Sequence, residues 1–179
     1  MKLAIRFMLL ALGLFTWAGC ATHKVITTHD EFDGTTKHRM YFNALGCAGL
    51  LAPTIQLKAQ RFDQKDGAIS YSLIVEYSGK NWLFIAPGES LVFKIDGKRK
   101  AFSGEGSADH RHVGGLAGVS ETAWYHEVKL EDLRELANAQ EVKIKIEGKN
   151  TYVTRCFKDY SFKSFQNFVA NFGREGDKR

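Results

Sequence analysis

Apolar and polar residues alternate along most of the chain after residue 24, and this pattern predicts β-strands. The alternation is regular over Ala68 to Tyr77 and again over Glu141 to Glu147. In a strand, successive side chains point to opposite faces, so every second position can be buried. In the second stretch the apolar positions are Val142, Ile144 and Ile146.

Short turn sequences separate these strands and favour antiparallel pairing. Asp66-Gly67 follows the strand predicted over Thr54 to Phe62, and Asp96-Gly97 is a typical two-residue hairpin turn. About eight to ten short strands with a turn every eight to twelve residues are typical of a sandwich or a barrel. We therefore predict an all-β fold, an antiparallel β-sandwich, in a single domain over residues 24–173.

Two stretches have helical spacing instead. Leucines at 130, 133 and 136 predict a short helix over 130–138. A phenylalanine repeat at 162, 165, 168 and 172 predicts a second helix over 161–172, with Ser161 as its N-cap. We expect both helices at the periphery of the sandwich. The strand between Ser120 and Val128 is predicted to place Thr122, Trp124, His126 and Val128 on one side.

Residues 103–119 interrupt the strand pattern and form the candidate ligand loop. Five glycines surround the sequence Asp109-His110-Arg111-His112. A loop of this length in a compact domain is usually functional or disordered. In an extended chain His110 and His112 point the same way and can begin a metal site, which needs a third ligand from elsewhere. The alternatives are a solvated loop, and an anion site in which Arg111 binds a carboxylate or phosphate.

The N-terminus has the pattern of an export signal. A basic start with Lys2 and Arg6 precedes an apolar run over 7–17, roughly half of the ~20 residues that cross a bilayer. The following Ala18-Gly19-Cys20 resembles the lipobox of bacterial lipoproteins. The resemblance implies removal of residues 1–19, a diacylglyceryl group on Cys20 and a short tether over 20–23. Since Ala21 rather than aspartate follows the cysteine, it also implies the outer membrane, facing the periplasm, rather than the inner membrane.

Cysteine content and charge further restrict the possible environment and partners of the chain. If Cys20 is lipidated, Cys47 and Cys156 remain as a pair that forms either a disulfide in an oxidising compartment or two buried thiols. The formal charge is +5, of which Lys2 and Arg6 belong to the signal, leaving +3 for the mature chain. This charge is too small to indicate nucleic-acid binding. Residues 174–179 are expected to be a disordered polar tail.

No catalytic motif is present. The sequence Gly104-Glu105-Gly106-Ser107 does not match the nucleophile elbow, and no residue spacing indicates a structural zinc site or a cofactor. The stretch from Trp82 to Gly97, with Trp124-Tyr125 and Leu136 to Ala139, resembles small bacterial lipoproteins without a known activity. We expect a non-catalytic binding or structural module that contacts an envelope protein or polymer. The alternative is a metal-dependent envelope enzyme that uses His110 and His112.

Overall fold

The computed structural model describes residues 23–114 and 118–173, which hold ten strands and two helices. The predicted signal, Cys20 and the tail predicted over 174–179 lie outside these residues. The strands are β1 (Val25–His29), β2 (Thr36–Met40), β3 (Thr54–Asp63), β4 (Ile69–Gly79), β5 (Gly88–Ile95), β6 (Lys98–Gly104), β7 (Arg111–Val113), β8 (Val119–Val128), β9 (Val142–Glu147) and β10 (Tyr152–Cys156). The helices are α1 (Leu130–Asn138) and α2 (Asp159–Phe172).

The strands form two antiparallel sheets in a sandwich arrangement. The larger sheet has the order β1-β2-β3-β4-β8-β7, and the smaller has the order β10-β9-β5-β6. Every paired strand runs antiparallel to its neighbour. The predicted all-β sandwich is thus confirmed, and its ten described strands lie at the upper end of the predicted number.

The apolar faces predicted from the alternation form the core. On β4, Leu73 and Val75 are fully buried, and on β9 Ile146 is fully buried. The helices contribute to the same core, since Leu133 of α1 and Phe165 of α2 are also fully buried. Both helices therefore obtain their stability from packing an apolar face, as the helical spacing predicted.

The Asp96-Gly97 turn confirms the predicted hairpin between β5 and β6. Both residues have positive φ, at 46° and 87°, as a tight two-residue turn requires. The Asp96 carboxylate also accepts hydrogen bonds from the backbone N–H groups of Gln140 and Glu141, at 2.9 and 2.8 Å. This turn therefore ties the smaller sheet to the segment that follows α1.

Two local predictions are wrong. Val128 lies on the buried face because β8 contains a bulge. Tyr71 and Leu73 of β4 are two positions apart, whereas their partners on β8, Val128 and Tyr125, are three positions apart. Such a bulge reverses the facing of every residue beyond it. Ser161 is not the N-cap of the second helix, which begins two residues earlier at Asp159, where an acidic side chain suits the positive end of the helix dipole.

A short segment joins the two sheets along one margin of the sandwich. Ala44 forms a bridge to Gln56 of the larger sheet, and Gly46 forms one to Cys156 of the smaller sheet. A disulfide between Cys47 and Cys156 fastens the same point, with a Cα–Cα distance of 5.5 Å. Of the two states that the sequence left open for these cysteines, the structure has the bonded one.

Removal of this disulfide is predicted to destabilise the fold strongly. The bond closes a loop with a sequence separation of 109 residues. The C47A/C156A double variant should lose about 4–5 kcal/mol of unfolding free energy, because its unfolded chain regains the entropy that the crosslink removes. Urea denaturation measures this loss, and the parent chain under reducing conditions should match the variant. Equal midpoints for oxidised parent and variant would contradict the prediction.

Candidate functional site

The predicted loop 103–119 is more ordered than its sequence indicates. Strand β6 extends to Gly104, and Arg111–Val113 form the edge strand β7, which pairs with the first residues of β8. The expectation of one open loop over 103–119 is therefore wrong for residues 103–104, 111–113 and 119, where backbone pairing overrides the glycine-rich composition. Residues 115–117 lie outside the described part of the chain.

Glu121 on β8 is the buried charge around which this region is built. Its side chain is only 1% exposed and points between the sheets. The carboxylate accepts backbone N–H bonds from Leu83, Phe84 and Ile85 at 2.6, 2.9 and 3.0 Å. The Ser107 hydroxyl donates a fourth bond, at 2.6 Å. A buried carboxylate is stable only when it is well paired, and these four donors meet that need.

The carboxylate holds segment 81–87 in an irregular path between the sheets. This apolar stretch is not a strand, although Ile85 makes a single bridge to Gly148. Phe84 has a φ of 54°, a left-handed conformation that costs a residue other than glycine about 1–3 kcal/mol. The strain persists because Glu121 binds the N–H groups on both sides of Phe84 as well as its own.

Arg111 is held against this strained residue. Its guanidinium carbon lies 4.7 Å from the centroid of the Phe84 ring, in cation–π geometry. Its Nε donates a long hydrogen bond of 3.4 Å to the Ser107 hydroxyl. Within the described residues neither terminal nitrogen of this guanidinium has a partner. The two free nitrogens can bind a carboxylate or phosphate in bidentate fashion.

A cleft of about 670 Å³ opens beside Arg111. It lies between segment 81–87, the turn that follows β6 and the turn that connects β9 to β10. Its charged residues are Arg111, Lys149 and Glu105, and its apolar walls include Phe84 and Pro87. With two cations and one carboxylate, the cleft favours an anionic group attached to an apolar or extended partner.

The described residues do not bring His110 and His112 into a metal-binding cluster. The ring of His110 packs edge-on against Trp124 with a centroid distance of 4.2 Å. His112 is exposed on β7, opposite Ser120, and Asp109 is exposed in the preceding turn. Across residues 23–114 and 118–173, no three His, Cys, Asp or Glu side chains lie close enough to share a metal ion.

Arg155 is a buried cation that the sequence did not single out. It is 7% exposed and donates to the backbone carbonyls of Pro53 and Thr154, at 2.5 and 2.7 Å. Its Nε has no hydrogen-bond partner within residues 23–114 and 118–173. Burial lowers the pKa of this guanidinium from its ordinary value, while burial raises the pKa of the neighbouring Tyr77 hydroxyl. Arg155 thus serves to hold the end of the loop that precedes β3.

Of the predicted site residues, only Arg111 lines the cleft. The sequence did not single out Ser107 and Phe84, which also line it, or the buried Glu121, which binds both. The one available signal was Glu121, a charged residue at an inward position between Val119 and Ala123 of an alternating strand. Ser107 and Phe84 carry no pattern that distinguishes them from other turn and core residues.

Comparison of the chain with protein-family models, with curated proteins and with solved structures finds no match. The helices in the described part of the chain are also too short or too polar to cross a membrane.

Replacing the buried carboxylate tests whether it holds the cleft together. The E121Q variant keeps the side-chain volume, but its NH₂ group must face backbone N–H donors. We expect a loss of about 2–4 kcal/mol in unfolding free energy, since buried donors lose a charged acceptor. Chemical denaturation measures it, with E127Q as the matched control because Glu127 is exposed on the same strand. A loss no larger than that of the control would refute the assignment.

Proposed function

We propose that this protein is a lipid-anchored envelope module that binds an anionic group of an envelope protein or polymer in the cleft beside Arg111. The observation that carries the proposal is the guanidinium of Arg111, which is oriented by the Phe84 ring and whose terminal nitrogens have no partner among the described residues. A guanidinium fixed before binding loses less side-chain entropy when it pairs with a carboxylate or phosphate. The role requires no catalytic group.

Two further observations support an envelope location. Disulfides persist in exported proteins and are rare in the reducing cytosol, and this chain joins Cys47 to Cys156. The N-terminal Ala18-Gly19-Cys20 resembles a lipobox and follows an apolar run of signal-peptide length. Together they favour export followed by lipidation, with the outer membrane as the expected destination.

The alternative of a metal-dependent enzyme has less support. It needs His110 to bind a metal, whereas the His110 ring packs against Trp124. It also needs a third ligand near His112, and the described residues place none there. The binding role uses Arg111 as it stands and needs no rearrangement of the turn.

The anchor is tested by removing its attachment site. In the C20S variant no thiol can accept the diacylglyceryl group, so we expect the modified N-terminal peptide to disappear. Mass spectrometry of the native protein should find two or more acyl chains on residue 20, enough for stable anchoring. A native N-terminal peptide without acyl mass would contradict the lipoprotein assignment and leave the cleft unaffected.

The cleft is tested by photocrosslinking in the native envelope. A photoreactive amino acid replaces Ala108, an exposed residue at the cleft wall, and a second probe replaces Lys143 on the outer face of the smaller sheet. We expect a discrete adduct from position 108 and none from position 143. Adding R111A should abolish the adduct, and R111K should weaken it, because an ammonium cannot form the bidentate pair.

The matched control is R39A, which removes an exposed arginine from β2 at the far side of the larger sheet. The adduct should survive this change. The R111A variant itself should lose only about 0.5–1 kcal/mol of stability, the value of an exposed cation–π contact, so unfolding does not explain a lost adduct. An adduct insensitive to R111A would refute anion recognition, and no adduct at all would count against the binding module.

A further inference from the structure

The connection between β2 and β3, residues 41–53, presents an unusual amount of apolar surface. At its tip Leu50 and Leu51 are 101% and 90% exposed. Tyr41 and Phe42 at its start are 56% and 44% exposed. Single exposed apolar residues are normal on protein surfaces, but adjacent ones at a loop tip indicate a contact site. From Ala48 to Pro53 the segment has no polar side chain.

The base of this tip is rigidly fixed. Gly46 exchanges two backbone hydrogen bonds with Cys156, at 2.9 and 3.2 Å, and the disulfide of Cys47 lies next to them. At the other side of the tip, the carbonyl of Pro53 accepts a bond from Arg155. Both ends of the segment are therefore held by β10, and the two leucines project from a fixed support.

The start of the described chain lies against the same connection. The backbone N–H of Tyr41 donates to the carbonyl of Lys24 at 2.9 Å. Lys24 follows Cys20 by four residues, which span at most about 14 Å when fully extended. An acyl group on Cys20 would therefore keep the membrane surface close to Tyr41 and its connection.

The direction of the chain supports the same placement. The last residue of β1, His29, pairs with Thr36, and Thr36 pairs with Asp63 at the end of β3. The first residue of β1, Val25, pairs with Met40 and so lies nearer the beginning of β3. The chain before Val25 therefore leaves the sheet toward the end where β3 begins. The leucine tip precedes β3 at that same end of the larger sheet.

Basic side chains lie beside the tip. Lys158 packs over Gly46 at its base, and the acidic residue Asp159 follows it in sequence. Gly79 lies against the ring of Pro53, and Lys80 follows it as an exposed residue. An apolar tip beside lysines matches the chemistry of a phospholipid surface. Its acyl chains can bury the leucine side chains, and its phosphates can pair with the lysine ammonium groups.

We propose that Leu50 and Leu51 insert into the phospholipid leaflet that holds the lipid anchor. The domain is then fixed at two points, the acyl chains on residue 20 and the leucine tip, and so has a defined orientation on the membrane. This inference rests on the lipid anchor of the proposed function, and its test separates the two.

The test measures how deeply the leucine tip lies in the bilayer. Binding to vesicles alone is not informative, because two acyl chains bind the protein whether or not the tip inserts. The full-length lipidated chain carrying Leu50→Trp is reconstituted into phosphatidylethanolamine–phosphatidylglycerol vesicles with ordinary or brominated acyl chains. After subtraction of the parent signal, the added tryptophan should lose most of its emission in the brominated vesicles. Leu51→Trp provides a second position on the same tip.

The matched control is Phe32→Trp. Phe32 is 105% exposed in the turn between β1 and β2, at the opposite end of the sheet, and its tryptophan should keep its emission. If the vesicles float with bound protein but neither tip position is quenched, the insertion is refuted and the anchor stands. A concentration-dependent blue shift of the tip tryptophan without vesicles would assign the tip to self-association and likewise refute it.

Failure of the anchor gives a different result. In that case the parent chain does not float with vesicles and carries no acyl mass. The same Leu50→Trp chain mixed with excess brominated vesicles then reports on the tip alone. Quenching there would support insertion without an anchor, and unchanged emission would overturn it.

Discussion

The hydrogen bonding of one buried carboxylate determines the shape of the candidate site. Glu121 lies between the sheets without an ion-pair partner in the described chain, so its charge is balanced by hydrogen-bond donors alone. An isolated buried charge costs several kcal/mol, roughly the margin by which a whole domain is stable. The backbone of segment 83–85 must therefore turn toward it. That turn forces Phe84 into its left-handed conformation and places its ring beneath Arg111.

The fold was predictable from sequence where the signal was local and periodic. Strand β9 and helix α2 repeat at their own periods, and the Asp96-Gly97 turn needs two residues whose chemistry fits positive φ. The exceptions are equally physical. One additional residue in β8 moved Val128 to the other face, and a bulge of that kind leaves no mark in the period of the sequence. The state of Cys47 and Cys156 also depends on a pairing across 109 residues, which composition cannot reveal.

The site was predictable only in part. Arg111 could be identified because it lies in a glycine-rich segment that contrasts with its surroundings. The residues that orient it could not, since Glu121 is 36 to 38 positions from the backbone it binds. The contacts join an acidic side chain to the backbone N–H groups of three apolar residues. No complementarity between side chains therefore indicates them in the sequence. A binding site assembled from the backbone of one segment and the side chain of another becomes visible only in the fold.

On the proposed lipid anchor, neighbouring copies of the domain would meet at high local density, and the margins of the two sheets would then matter. An unpaired strand edge is a template for joining another chain. Here the β10 edge is covered at its last residue, Cys156, by the bridge from Gly46, and β7 is only three residues long. The β6 edge carries consecutive cations at positions 98–100, of which Lys100 is bound by Asp132 and Glu135 of α1. These features make the β6 and β7 edges poor templates for edge-to-edge aggregation between crowded copies of the chain.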